Sequence, residues 1–413
     1  MIDLNILRKN PEIIKKSLQE RGVKFDLDGL IKLDEQRRDY ITKIENLRHQ
    51  QKQEKNQVKA KAIKEEIKKI EEKLTEMEKD FRTLLYKIPN IPYPDVPLNQ
   101  NKEIRNWRPA GTNKALLDKE KVKEYLEIAG EMIDTERGAK VAGSRFYYLK
   151  DRVALLELKL INFAINFLTN KKNIEKIIKD KRLAISSKPF LPVIPPLMLK
   201  SEIMKGMGYL DQAPDETYHL EKDNLYLIGT AEHALIAMHA NEILPEKELP
   251  LRYVGFPCSS FRREAGSYGK DVRGIFRVHQ FEKVEMVSYC SPETSKFEHE
   301  LLVGLEEEMM KLLKIPYRIV QICINDLSYP SAKSYDIEGW IPSQEKYCEL
   351  GSSSNCTDFQ ARRLGIRYKN KRGENLLIHT LNATALAMPR TIIAIIENYQ
   401  KKDGTFDWPK ILK

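Results

Sequence analysis

No stretch of roughly eighteen consecutive apolar residues occurs in this sequence, so no segment reads as a membrane-spanning helix. The opening residues, MIDLNILRKNPEIIKKSL, lack the apolar centre of a signal peptide and read as an amphipathic charged helix. Cysteine is sparse: Cys258, Cys290, Cys323, Cys348 and Cys356 are the full set. Cys348 and Cys356, the closest pair, have no second pair at zinc-ligand spacing. Reduced thiols in a cytoplasmic protein are expected, with no zinc. Internal repeats are absent. What remains is abundant charge of both signs, 70 Lys and Arg against 60 Asp and Glu in 413 residues, a formal +10. That balance fits a nucleic-acid partner without requiring one, and the length suffices for two or three domains.

The first part of the chain is periodic. Ile63, Ile67, Ile70, Leu74, Met77, Phe81, Leu84 and Ile88 follow alternating steps of four and three, a heptad seam. Leu30, Leu33, Tyr40, Ile44 and Leu47 keep the same frame, with Arg37 filling one seam position. Between them the seam lapses in RHQQKQEKNQVKAKA. The pattern predicts an antiparallel helical hairpin with legs of roughly 25 residues, about 35–40 Å long. Its tip is basic: residues 48–69 hold eight Lys or Arg against three Glu. Such a surface is often merely solvated, but it also suits a phosphate backbone. Four prolines in IPNIPYPDVP then end the helical arm. Domains are therefore expected at 1–97 and 98–413.

Beyond residue 100 the pattern is α+β. DRVALLELKLINFAINFL and EHELLVGLEEEMMKLLKI read as helices. LYLIG, LRYVGFPCSSF, IFRVHQFEKVEMVSYC, YRIVQICIND and YDIEGWIP read as strands of an antiparallel sheet backed by helices. Residues 261–285, FRREAGSYGKDVRGIFRVHQFEKVE, form a hairpin in this reading, with SYGKDVRG as its loop. Alternation along the return strand would align Arg277, His279, Phe281, Lys283 and Glu285 on one face. Guanidinium forks bind phosphate, a phenyl ring accepts a base, and a terminal carboxylate holds an ammonium or hydroxyl. A salt-bridge ladder on a solvated sheet is the competing reading of the same residues.

The stretch FRREAG…FRVHQFEKVE resembles the second signature motif of class II aminoacyl-tRNA synthetases, in its seryl-tRNA synthetase form. GSRFYYLKD, GTAEHAL, YDIEGWIPSQ, SNCTDFQARRLGIRY and LNATALAMPRTIIAIIENYQ match that family in order, and the basic hairpin is similar to its tRNA-binding arm. Three stretches depart from the usual family form: NDLS at 325–328, ELGSS at 349–353 and NATA at 382–385. The resemblance implies a homodimer with a six- or seven-stranded antiparallel catalytic sheet, Pro195 or Pro196 lying at the dimer-forming motif. It implies activation of serine by ATP with Mg2+, then transfer to tRNA(Ser), with tRNA(Sec) left open.

Carried over residue by residue, the resemblance makes Arg262, Arg277 and Arg390 catalytic. It assigns ATP to Arg262, Arg263, Glu264, Arg277, Val278, Phe281, Glu349, Leu350, Gly351, Ser352 and Arg390. Within that set Glu264 reads the adenine amino group, and Phe281 and Arg390 sandwich the ring. Serine falls to Thr230, Ala231, Glu232, Arg262, Glu285, Asn382 and Thr384, magnesium to Glu349 and Ser352, and tRNA to Lys52, Lys55, Lys59, Lys61 and Lys64. A relative delivering serine to a non-tRNA acceptor, and a non-catalytic RNA-binding relative, are the alternatives. The basic tip argues against the first, and the intact set of ligands against the second.

Overall fold

The computed structural model describes residues 1–110, 122–210, 214–256, 259–264 and 273–413. The chain divides into two compact units, Met1–Ile91 and Pro92–Lys413.

In the first unit the helices Leu27–Gln53 and Gln57–Tyr86 form an antiparallel pair. The seam residues Ile44, Leu47, Ile67 and Ile70 are buried between them. Arg37, the polar residue in the seam, is accommodated by stacking over Phe81 at 5.2 Å and pairing with Glu78 at 3.2 Å. The turn is only three residues long because Asn56 caps the second helix, its Oδ1 accepting from the Val58 and Lys59 N–H groups. The opening segment departs from the single helix expected. It forms two, Leu4–Lys9 and Pro11–Glu20, because Pro11 cannot continue the first and instead starts the second.

The second unit is built on a nine-stranded sheet. Across it the order is Lys102–Trp107, Tyr317–Gln321, Lys333–Ile341, Lys346–Asn355, His379–Ala387, Gln280–Cys290, Leu251–Gly255 and Leu191–Val193, with Ser259–Phe261 also paired to Gln280–Cys290. Neighbours are antiparallel except Leu191–Val193, which runs parallel to Leu251–Gly255. The sheet is thus larger than the six or seven strands expected, through short strands at its margins, and not wholly antiparallel. The helices Asp151–Thr169, Ser295–Leu312 and Met388–Asn398 pack against it around one large apolar core. Arg252 and Glu298, both fully buried, join an outer strand to the Ser295–Leu312 helix through paired contacts of 2.6 and 2.9 Å. Cys290, Cys323, Cys348 and Cys356 are free thiols, while Cys258 lies outside the described residues.

Two bulges set the functional face. In the Lys346–Asn355 strand, Ile337 pairs with Gly351 and Glu338 with Glu349, leaving Leu350 as the extra residue. In His379–Ala387, Val284 pairs with Leu386 and Glu285 with Thr384, leaving Ala385 extra. An inserted residue shifts the alternation by one, so positions three apart come to share a face. Glu349 joins Ser352, and Thr384 joins Ala387, in lining one cleft.

Below that face lies Glu306, on the Ser295–Leu312 helix. It is buried, its Oε1 has no hydrogen-bond partner, and a Cβ on Gly351 would lie 3.3 Å from that oxygen. Burial first, then the charges of Glu285, Asp336 and Glu307 against a weaker opposing effect of Lys283, raises its pKa well above the usual carboxylate range. The folded state therefore holds a proton that the unfolded chain releases above about pH 4.3, and Glu306 costs stability increasingly as pH rises from there. Glu306→Gln should melt a few degrees above the parent at pH 8, with the advantage vanishing near pH 4. Thermal unfolding at the two pH values checks this, and an equal gap at both would contradict it.

Candidate active site

The cleft, about 230 Å³, opens where Lys346–Asn355, His379–Ala387 and Gln280–Cys290 lie side by side. Arg262, Glu264, Arg277, Val278, Phe281, Glu349, Leu350, Gly351, Ser352, Thr384 and Arg390 line it, together with Lys283 and Phe276. The return strand of the hairpin begins at Gln280, not at Ile275 as the sequence pattern predicts. Residues 275–279 find other partners: the Ile275 N–H donates to the Tyr125 hydroxyl and the His279 N–H to the Arg145 carbonyl. Arg277 nevertheless reaches the cleft, while His279 does not line it. The loop residues 265–272 lie outside the described residues.

Three of the four cations in the cleft meet an acid. Arg277 Nη1 donates to Glu264 Oε2 at 2.9 Å. Arg390 Nη1 donates to the Glu349 carbonyl at 2.9 Å and lies 3.1 Å from its carboxylate. Arg390 sits in the first turn of the Met388–Asn398 helix, where a cation opposes the helix dipole and gains from an acid close by. Buried Lys283 contacts Glu285 at 2.5 Å. Arg262 donates from Nε to the Gly229 carbonyl at 3.1 Å, its guanidinium 5.3 Å from the Phe281 ring centre. Arg390 stacks over Phe276 at 4.9 Å, so each aromatic wall already carries an arginine. Arg263 does not line the cleft; it is exposed and lies over Tyr218 at 5.2 Å.

Next to Glu285 is a second, more enclosed group. Thr230, Ala231 and Glu232 enter the short helix Glu232–Ala237, all three buried. Both Glu232 carboxylate oxygens accept from the Tyr209 hydroxyl, at 3.0 and 2.9 Å, and Oε1 also accepts from Gln360 Nε2 at 2.8 Å. Burial, and then the charge of Glu285, pushes the Glu232 pKa up to about 7. His233 is held neutral, its pKa drawn down to about 3 by burial and then by Arg262. Thr384 faces Glu285 at 3.5 Å, and Asn382 is buried nearby, donating to the Cys356 sulfur at 3.8 Å. Two acids in a dry setting favour a ligand with a positive end. Tyr209, Gln360, His233, Phe276 and Lys283 complete these sites but received no role from the sequence. Tyr209 sits in none of the quoted stretches and Gln360 lies within SNCTDFQARRLGIRY, but only the fold brings the two to Glu232.

For a divalent ion, Glu349 and Ser352 offer hard oxygen donors on one face, with the half-buried Asp336 directly across the ladder from Ser352. Burial, then Glu349, raises the Asp336 carboxyl well above its usual range. Among the described residues no group of three or more His, Cys, Asp or Glu forms a complete cage. One or two carboxylates suit magnesium, which keeps waters and phosphate oxygens as its remaining ligands. The residues present thus fit that ion.

Comparison with known proteins gives a consistent result over the chain. Residues 1–92 match the family of the seryl-tRNA synthetase N-terminal domain, and residues 217–399 match the tRNA synthetase class II core domain (G, H, P, S and T). The serine–tRNA ligase of Pyrococcus horikoshii is 41% identical, covering 100% of this chain and 95% of that protein. That of Thermobifida fusca is 42% identical, covering 100% and 97%. The crystal structure of the P. horikoshii seryl-tRNA synthetase complexed with ATP superposes with a TM-score of 0.86 at 40% identity, covering 100% of this chain and 97% of that one. A cytoplasmic serine–tRNA ligase from Naegleria fowleri in complex with AMP gives 0.83 at 32% identity, covering 100% and 96%. No single described helix is long and apolar enough to cross a membrane. With a matched N-terminal domain, a matched core and full-length relatives above 40% identity, the chain belongs to the seryl-tRNA synthetase family.

Proposed function

We propose that this chain is an ATP-dependent serine–tRNA ligase that works as a cytoplasmic homodimer. The observation that carries the reading is the junction of two sites: a cleft of arginines and aromatic rings beside a buried acidic pocket around Glu232 and Glu285. A nucleoside triphosphate and a small amino acid, end to end, have the complementary charges.

In the first step a carboxylate oxygen of serine attacks the α-phosphorus of ATP, and pyrophosphate leaves. In the second, a ribose hydroxyl at the 3′ end of tRNA attacks the seryl carbonyl, and AMP leaves. Neither step needs a protein nucleophile; orientation and charge stabilisation suffice. Arg262 spans the α-phosphate and the serine carboxylate. Glu264 accepts from the adenine amino group, with Val278 against the nucleoside. Arg277 turns from Glu264 to the terminal phosphates. Adenine stacks on Phe281, and Arg390 closes its other face. Leu350 and Gly351 shape the floor of the cleft.

Glu349 and Ser352 hold magnesium, which when bound offsets charge on the triphosphate. Glu285 receives the serine ammonium, in place of Lys283. Thr230, Ala231, Glu232, Asn382 and Thr384 enclose the side chain. A pocket built to pair a hydroxyl leaves those groups unsatisfied with alanine, which favours serine strongly.

Lys52, Lys55, Lys59, Lys61 and Lys64 are exposed at the arm's tip. Among the described ion pairs, Lys43–Glu66 and Arg48–Glu71 join the two legs, and none involves these five lysines. They supply the phosphate contacts to tRNA. The homodimer has support in the exposed Leu155 and Leu158 on the Asp151–Thr169 helix, Leu191 on the strand packed against it, and Ile194 between that strand and Pro195.

Arg262→Ala should lower serine-dependent ATP–pyrophosphate exchange by at least about 100-fold while leaving the dimer intact in sedimentation; exchange near the parent rate would remove the assigned role. Deleting residues 48–69 should leave exchange unchanged and reduce kcat/KM for tRNA charging by at least about tenfold, with a shallower salt dependence than the parent. Unaltered charging would take the arm out of the mechanism.

A further inference from the structure

Glu232 stands among donors brought from distant parts of the chain. The Tyr209 hydroxyl, just beyond the short helix Ser201–Met207, donates to both of its oxygens. Gln360, on the helix Phe359–Leu364, donates from Nε2 to Oε1 at 2.8 Å. The Gln360 amide is fixed in turn. Its Oε1 accepts from the Thr380 hydroxyl at 2.6 Å, and both residues are fully buried. A flipped amide would set its oxygen against the carboxylate, so the donor end faces Glu232.

The rest of the setting opposes a charge on Glu232. Burial raises its pKa first, then Glu285 on the strand Gln280–Cys290. Against them act the hydrogen bond from Gln360, then that from Tyr209, then the charge of Lys283. The other titratable groups around the carboxyl carry no charge. Burial keeps the proton on the Tyr209 hydroxyl and on the Cys356 thiol. His233 is neutral under burial and the charges of Arg262 and Lys283, and its Nδ1 accepts from the Gly229 N–H at 3.4 Å. Two hydrogen bonds are thus the chief support for an ionised Glu232, and the balance leaves it at about 7.

We infer that Tyr209 and Gln360 are positioning residues for amino-acid recognition, holding Glu232 as an oriented carboxylate that accepts from serine; the inference rests on the ligase reading above. Among the described residues Oε2 has only the shared Tyr209 proton, so it keeps capacity for a further donor. Serine brings donors at its ammonium and at its hydroxyl. An ionised Glu232 can only accept, whereas a protonated one would turn a competing donor toward them. The Tyr209 ring also packs on His233 at 4.7 Å, so Tyr209→Phe removes the donor and keeps the packing.

The test is Tyr209→Phe in the full-length protein, read by serine-dependent ATP–pyrophosphate exchange between pH 6 and pH 9. Removing a donor raises the Glu232 pKa, so the acid limb of kcat/KM for serine should move up by about one pH unit. The KM for serine should rise about fivefold at pH 7 and return to within about twofold of the parent at pH 9. The titration of free serine is common to both proteins and cancels in that ratio. KM for ATP should not change. Glu232→Gln, neutral at every pH, should lose the limb, and Tyr209→Phe should add nothing in that background. A parent-level KM for serine at pH 7, a defect equally large at pH 9, or the same loss added to Glu232→Gln overturns the inference. Should Tyr209→Phe fail to fold, Gln360→Leu, which removes the other donor, decides on the same readouts. A parent protein without serine-dependent exchange would instead overturn the ligase reading, so the two failures are distinguishable.

Discussion

Charge removed from water must find a partner, and in this cleft three of the four cations have found an acid. Arg277 rests on Glu264, Arg390 on Glu349 and Lys283 on Glu285. In a partly dry site such pairs are strong, and they hold side chains in place that would otherwise scatter. The same pairs are what substrate replaces. A triphosphate can take Arg277 and Arg390 from their acids, and an ammonium can take Glu285 from Lys283. Arg262 apart, the cleft thus supplies its own counterions at the points where substrate charges would sit. This explains why so polar a face survives on a sheet whose other side packs against one large apolar core.

The acids with no cation among the described ion pairs have the opposite character. Glu232 is pushed up to about 7, and Glu306 and Asp336 are raised well above the usual carboxylate range, each mainly by burial. Glu232 and Glu306 interact with Glu285 at the end of the cleft proposed for the amino acid, and Asp336 lies across from Ser352 at the proposed magnesium site. A positive group arriving at the amino-acid end relieves repulsion between Glu232 and Glu285. Bulges at Leu350 and Ala385 matter for the same reason: without them Glu349 and Thr384 would turn to the opposite face of the sheet.

Much of this was legible in the sequence where the governing interaction is local or repetitive. The seam through Ile67 and Ile70 specifies the helical pair because a heptad has one buried stripe. Asp151–Thr169 follows from its apolar face, and the motif around Arg262 and Arg277 marks the cleft. What could not be read depends on distant chain. The return strand starts at Gln280 because Tyr125 and Arg145 claim the backbone of the preceding residues. Arg263, adjacent to Arg262 in sequence, faces Tyr218 instead of the cleft. Tyr209 and Gln360 reach Glu232 from 23 and 128 residues away. The break at Pro11, by contrast, was there to be read in the Asn-Pro step.

The central claim is that substrate groups exchange places with the cleft's own ion pairs. A crystal structure with a nonhydrolysable seryl-adenylate mimic tests it most directly. The account predicts the mimic's ring between Phe281 and Arg390, its ammonium on Glu285, and Lys283 displaced from that carboxylate. A mimic bound elsewhere, or bound in the cleft with Lys283–Glu285 and Arg390–Glu349 unchanged, would contradict it.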